Sequence, residues 1–209
     1  MSETVVISPH SDDAAISLGS LLYHIYLPCS ILVPFNRSLE NMLGIDNEVT
    51  ELRKKEDKVI ADKYGFKFIY GNFLDTSLRG VPWDEKRTKV DVDLLREVSG
   101  WIMKNLPKDF GRIFYPAACG EHPDHIICNL SIAQSHEVLR KNSAMYMEQP
   151  YYLECPPIMC SLVEVEFCTS FKREMLSAYS SQITKERLDI LAGKITKEYY
   201  FLWGNSCRV

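Results

Sequence analysis

The stretch Thr4-Val-Val-Ile-Ser8-Pro9-His10-Ser11-Asp12-Asp13-Ala14 decides the reading of this chain. Its first half is a short β-branched run bounded by a proline, the pattern of a buried strand. Its second half gathers one histidine and two carboxylates into four residues. An uncharged, largely apolar segment follows, which predicts a helix over Ala14 to Tyr26.

Working outward, the same alternation recurs. Ser30 to Val33 reads as a second strand, and Glu48 to Tyr64 as a charged helix stopped by Gly65. Lys67 to Tyr70 reads as a third strand, followed by a turn-rich loop over Gly71 to Trp83. Leu94, Val98, Ile102 and Leu106 recur every four residues, with Trp101 on the same face, before Pro107 ends that helix. Arg112 to Tyr115 is strand-like and Ile126 to Leu139 helical. Farther on, Met145 to Tyr152 and Met159 to Phe167 look extended, and two helices are expected over Phe171 to Gln182 and Lys185 to Tyr200. Strands that alternate with helices imply a mostly parallel sheet covered on both faces. The expected fold is therefore α/β, Rossmann-like, with residues 1–209 forming a single domain.

Composition narrows the function classes. Of 209 residues, 46% are hydrophobic and 25% charged, which excludes a disordered, collagen-like or coiled-coil chain. With 24 Lys and Arg against 28 Asp and Glu, the net charge of -4 gives no basic track for a phosphate backbone, so nucleic acid is not an expected partner. Seven cysteines, odd in number and without CxxC spacing, point to reduced thiols rather than a disulfide framework. Ala14 to Asn36 lacks Asp, Glu, Lys and Arg and is long enough to cross a bilayer. His24, Pro28, Pro34 and a Pro-Cys-Ser step divide it, however, so a core helix and a buried strand are expected instead. No basic and apolar leader precedes the first strand, and a cytoplasmic protein is expected.

Two clusters carry chemistry: Ser8-Pro-His10-Ser-Asp12-Asp13 after the first strand, and Gly120-Glu-His122-Pro-Asp124-His125 after the strand at Arg112 to Tyr115. Ligands of parallel α/β sheets bind in loops past the carboxyl ends of the strands. If those two strands are neighbours, the clusters face each other across one crevice. Histidine nitrogens with carboxylate oxygens suit a divalent transition metal, and two histidines with one carboxylate is a common catalytic zinc arrangement. Asp12 and Asp13, being adjacent, point to different sides and serve different tasks: one for the metal, one for a reacting water. The plainer alternative makes Asp12 or Asp13 a helix cap, with Pro123-Asp124 starting the next helix.

On these residues the chain resembles the PIG-L/LmbE family of zinc-dependent N-acetylglucosaminyl deacetylases. That family carries an (A/P)HPDDE motif after its first strand and HPDH after a later one, which here read Pro9-His-Ser-Asp-Asp-Ala14 and His122-Pro-Asp-His125. Arg53-Lys-Lys-Glu56 with Gly65 resembles its RxxE helix. Gly71 to Asp75 is similar to its GxxxD loop, Lys172 to Gln182 to its Lys…SQ helix, and Glu198 to Phe201 to its closing segment.

The resemblance implies that His10, Asp13 and His125 hold zinc, with iron, manganese or cobalt as other options, and that Asp12 is the general base. It further implies that His122 stabilises the oxyanion or protonates the leaving amine, with Asp124 orienting it, and that Arg53, Asp75 and Gln182 line a sugar pocket. Ser11 replaces the motif's proline and Ala14 its closing acid, while all implied ligands are kept. The implied substrate is a small-molecule acetamido sugar conjugate. The alternatives are an amidase acting on a thiol-sugar conjugate and a catalytically impaired sugar-binding homologue. Tyr146, Tyr151, Tyr152 and Trp203 are candidates for stacking on a sugar, and Cys119 is a weak candidate ligand. The aglycone and the oligomeric state are not legible in the sequence.

Overall fold

A computed structural model describes residues 2–25, 28–38, 46–81, 90–135, 139, 142–151 and 162–202. Its strands are β1 (Glu3–Ile7), β2 (Cys29–Val33), β3 (Lys67–Tyr70), β4 (Phe110–Pro116), β5 (Ser143–Tyr146), β6 (Leu162–Val165) and β7 (Glu198–Leu202). They form one sheet in the order β3-β2-β1-β4-β5-β7-β6. From β3 through β5 every pairing is parallel, while β7 runs antiparallel to both β5 and β6.

Helices cover both faces of the sheet. Consecutive residues of β1 therefore have to be apolar: Val5 and Ile7 enter one core cluster, Val6 the other, and all three are fully buried. The first cluster packs the sheet against α3 (Val92–Asn105) and α4 (Pro123–Ala133), through Val98, Ile102, Ile127 and Ile132. The second packs the opposite face against α1 (Asp13–His24), α2 (Asp46–Tyr64) and α5 (Thr169–Ser177). Val98 and Ile102 of the four-residue repeat are the buried residues of α3, with Leu94 and the capping Leu106 half-buried beside them, and the helix N-terminus is capped by the Asp91 carboxylate.

The chain departs from the expected pattern at its carboxyl end. Lys185 to Tyr200 is not one helix: α6 covers only Lys185–Asp189, a π-helical segment follows at Ile190–Lys194, and Glu198–Leu202 is a strand. Tyr199-Tyr-Phe carries aromatic side chains that suit a pleated surface. Pairing between β5 and β6 supplies a partner on each side, and this overrides the local helical spacing. α5 also ends earlier than expected, at Ser177, and the chain to Gln182 continues as turns. Cys29, Cys119, Cys128 and Cys168 are free thiols. Among the described residues, no helix is long and apolar enough to cross a membrane.

Candidate active site

Strand order places the site. β1 lies between β2 and β4, so the connections leaving β1 and β4 diverge, and a crevice opens at the carboxyl ends of these two strands. Both histidine-and-aspartate loops leave from there.

The first loop is built by its own residues. The Ser8 hydroxyl donates to the His10 carbonyl at 2.6 Å and accepts the Ala14 amide at 3.0 Å, closing the turn into α1. Asp12 makes no side-chain cap, so the capping role falls to Ser8. Asp13 Oδ2 accepts the His10 amide at 2.8 Å and lies 3.1 Å from His10 Nδ1. Ser11, where the resembling family has proline, donates at 2.9 Å to Asp57 Oδ2, which also accepts from the Tyr70 hydroxyl; Asp57 Oδ1 accepts from Tyr179. Burial pushes the Asp57 carboxyl up to about 7 even with three hydroxyl donors facing it.

The second loop is built largely by residues remote in sequence. His122 caps α4, its Nδ1 accepting the Asp124 amide at 3.2 Å, with Pro123 at the first helical position. His125 Nε2 lies 3.2 Å from Asp13 Oδ2, while its Nδ1 lies 3.1 Å from Glu148 Oε1. Glu148 is 1% exposed and also accepts the amides of Ala118 and Cys119 at 2.7 and 3.3 Å. It thereby grips a loop in which Ala118 and Glu121 both adopt left-handed backbone (φ 63° and 55°). Gly120 is required there, because a Cβ would come within 2.6 Å of the Tyr151 ring.

The Asp124 carboxylate does not reach His122. Its oxygens meet His10 Nε2 at 3.0 Å, the Thr76 amide at 3.2 Å and Arg79 Nη2 at 2.6 Å, so it orients His122 only through its backbone amide.

Two donor sets result. Ligand atoms of His10, Asp13 and His125 lie within 4.8 Å of one another, as do those of His10, His122 and Asp124. The first set fits a divalent transition ion best: two imidazoles converge on one carboxylate oxygen, and the carboxylate behind His125 fixes which nitrogen faces inward. In the second set Asp124 is already committed to Arg79. Cys119 contributes to neither, its thiol lying 3.6 Å from the Met147 sulfur.

Titration follows from this crowding. Burial and the negative charge of Asp13 raise the Asp12 carboxyl, which Arg53, Arg187 and His10 pull back down. Asp13 is held well below the usual carboxylate range by His125 and His10, against its burial. Their carboxylate partners outweigh burial and raise both His10 and His125, the latter to about 9. His122 goes the other way, to about 3, through burial and the neighbouring histidines.

A cleft of about 680 Å³ opens over this floor. Arg53, Asp75 and Gln182 all line it, together with Thr76, Gln149 and Tyr151, and Thr184 and Arg187 form its outer wall. Asp75 also closes its own turn, its Oδ1 accepting from Ser77 N, Ser77 Oγ and Leu78 N. Glu56, in the helix that carries Arg53, binds Ser181 by both oxygens and Gln182 at 3.4 Å, and so holds that wall in place. The residues behind the resemblance at Lys172 and Glu198 form a buried ion pair at 2.9 Å, and Lys172 donates to Gln149 at 2.6 Å. Tyr146 is removed from the stacking candidates: it is fully buried and donates to the Ile7 carbonyl. Tyr152 and Trp203 lie outside the described residues.

The sequence reading missed Glu148, Arg79, Asp57 and Arg187. Each is an ordinary charged residue without a local motif, and only the fold brings it to the site.

No family model matches this chain, and no curated protein does. Solved structures share its architecture. A deacetylase of teicoplanin biosynthesis in complex with teicoplanin superposes with a TM-score of 0.76 at 20% identity, over 96% of this chain and 97% of that one. The N,N'-diacetylchitobiose deacetylase of Pyrococcus horikoshii gives 0.61 at 14% identity, over 96% and 84%. A 4-carboxy-2-hydroxymuconate hydratase of Pseudomonas putida gives 0.57 at 13%, over 96% and 95%. The shared property is the fold, and it hosts more than one chemistry.

Proposed function

We propose that this protein is a metal-dependent hydrolase that removes the N-acetyl group from an acetamido sugar conjugate, releasing acetate and a free amine. The observation that carries this reading is the convergence of His10, Asp13 and His125 on one point, with Asp12 beside them in the cleft. The PIG-L/LmbE resemblance of both motifs and the deacetylases among the structural neighbours support it. In this reading all 209 residues form one such domain, acting in the cytoplasm on a small-molecule substrate.

His10, Asp13 and His125 would hold the ion, with zinc favoured by two nitrogens and one oxygen. Zinc in such a site supplies a Lewis acid that polarises the amide carbonyl and acidifies a water.

The remaining work falls to the chain's own groups. Asp12, a buried carboxylate with a raised pKa, accepts the proton of the attacking water and returns it to the departing amine nitrogen. His122 is neutral; with Nδ1 engaged by the Asp124 amide, its proton sits on Nε2, where it donates to the developing oxyanion. The Asp124 carboxylate, anchored by Arg79, positions His10 rather than His122. Arg53, Asp75 and Gln182 face the sugar from the cleft walls.

The test is a panel of N-acetylglucosamine conjugates incubated with metal-replete protein, reading acetate and liberated amine. Release that is stoichiometric and lost on chelation is expected. Protein that carries one equivalent of metal yet releases no acetate from any conjugate would overturn the reading.

A further inference from the structure

We propose that the outer wall of the cleft, centred on Arg187, binds an oxyanion carried by the substrate, so that the preferred substrates are acetamido sugars bearing a carboxylate or phosphate away from the acetamide. This inference rests on the hydrolase reading above and adds the substrate's charge to it.

Arg187 lies in α6 and lines the same cavity as Asp12 and the histidines. Its side chain forms no ion pair or hydrogen bond with any described residue; its backbone amide donates to the Thr184 hydroxyl at 3.2 Å, and its carbonyl accepts the Ile190 amide. Other cations nearby are committed. Arg79 is bound to Asp124 at 2.6 Å, Lys172 to Glu198 at 2.9 Å, and Arg173 to Asp189 at 2.8 Å. Asp189 sits two residues from Arg187 on the same helix, yet its carboxylate is taken by Arg173.

Two of the three acids among the cleft's lining residues are also accounted for. Asp13 faces His10 and His125, and Asp75 Oδ1 is saturated by its own turn. Asp12 feels the positive charge of Arg187 without contacting it. A guanidinium on the wall of a concave site, paired with no carboxylate among the described residues, suits a ligand oxyanion that it can grip through two parallel N–H bonds. Thr184 Oγ1 already accepts the Arg187 amide, which leaves its O–H to donate to the same anion. A volume of about 680 Å³ falls in the range of drug-sized ligand sites, about 300–1,000 Å³, with room for a sugar and a charged substituent.

The experiment compares N-acetylglucosamine, its 6-phosphate and its 6-carboxylate (the uronic acid) as substrates of metal-replete full-length protein. A second arm measures, by calorimetry, binding of the corresponding amines, which cannot turn over. The inference expects kcat/KM about 10-fold or more higher for at least one anionic sugar. That preference should collapse toward unity in Arg187→Gln, and the anionic amine should bind that variant about 10-fold more weakly. Whichever of phosphate and carboxylate shows the effect identifies the source of the anion. Equal kcat/KM for all three sugars, or an equal loss for all three in Arg187→Gln, overturns the inference while leaving the hydrolase reading intact. Arg187-dependent binding of the anionic amines without any acetate release would sustain the subsite and sink the hydrolase reading.

Discussion

The two loops that face each other across the crevice reach the same point by different means. The loop at Ser8 to Asp13 is local: Ser8 closes the turn, and the Asp13 carboxylate caps the amide three residues before it. The loop at Ala117 to His125 depends on distant residues, with Glu148 behind His125 and Arg79 and Thr76 on Asp124. The difference teaches that motif spacing is enough to aim His10 and Asp13, whereas His125 is aimed only once β5 has brought Glu148 alongside β4.

Substitutions can break or sharpen this contrast. The largest effect is expected from His125→Ala, which should lose stoichiometric metal by elemental analysis and all acetate release; full occupancy would remove His125 from the ligand set. Asp12→Asn should keep its metal and lose about 10²- to 10⁴-fold in kcat. Normal turnover in that variant would remove Asp12 from the base role.

Glu148→Ala tests the remote support directly. Apparent metal affinity, measured by competition with a chromogenic chelator, should fall about 10- to 100-fold. Ser8→Ala, the local counterpart, should cost about 0.5–2 kcal/mol of stability in denaturant unfolding, with a smaller change in metal affinity. Equal losses of affinity in the two variants would erase the contrast.

The smallest effect concerns Asp57, which ties Ser11 of the first loop to β3 and to the turn after α5. Its folded pKa of about 7 lies above the ordinary 3.8, so its protonated form favours folding. That contribution is fully present below about pH 4 and is lost as pH rises through 7. Relative to Asp57→Asn, the wild-type unfolding midpoint should therefore fall by a few degrees between pH 4 and 7, as read by calorimetry. A constant difference would show that the carboxyl titrates normally.

Most of the parallel half of the fold is legible residue by residue. β1, α2, β3 and α3 are self-announcing, because a two-faced sheet demands continuous apolar strands and a half-buried helix demands a repeat near four. The carboxyl end is less so. Glu198 to Leu202 becomes a strand because β5 and β6 offer it partners, a non-local circumstance that no window of sequence contains. The site divides in the same way. His10, Asp12, Asp13, His122 and His125 stand in compact motifs, whereas Glu148 and Arg187 are single charges in unremarkable surroundings.

By itself, then, the order of residues determined the layered α/β architecture and the two donor loops, because both follow from short-range periodicity and from neighbours within four positions. Tertiary structure alone decided which strands adjoin, which carboxylate backs which imidazole, and which arginines face the cleft. Those outcomes depend on contacts between segments that are tens of residues apart, and chain order does not encode such distances locally.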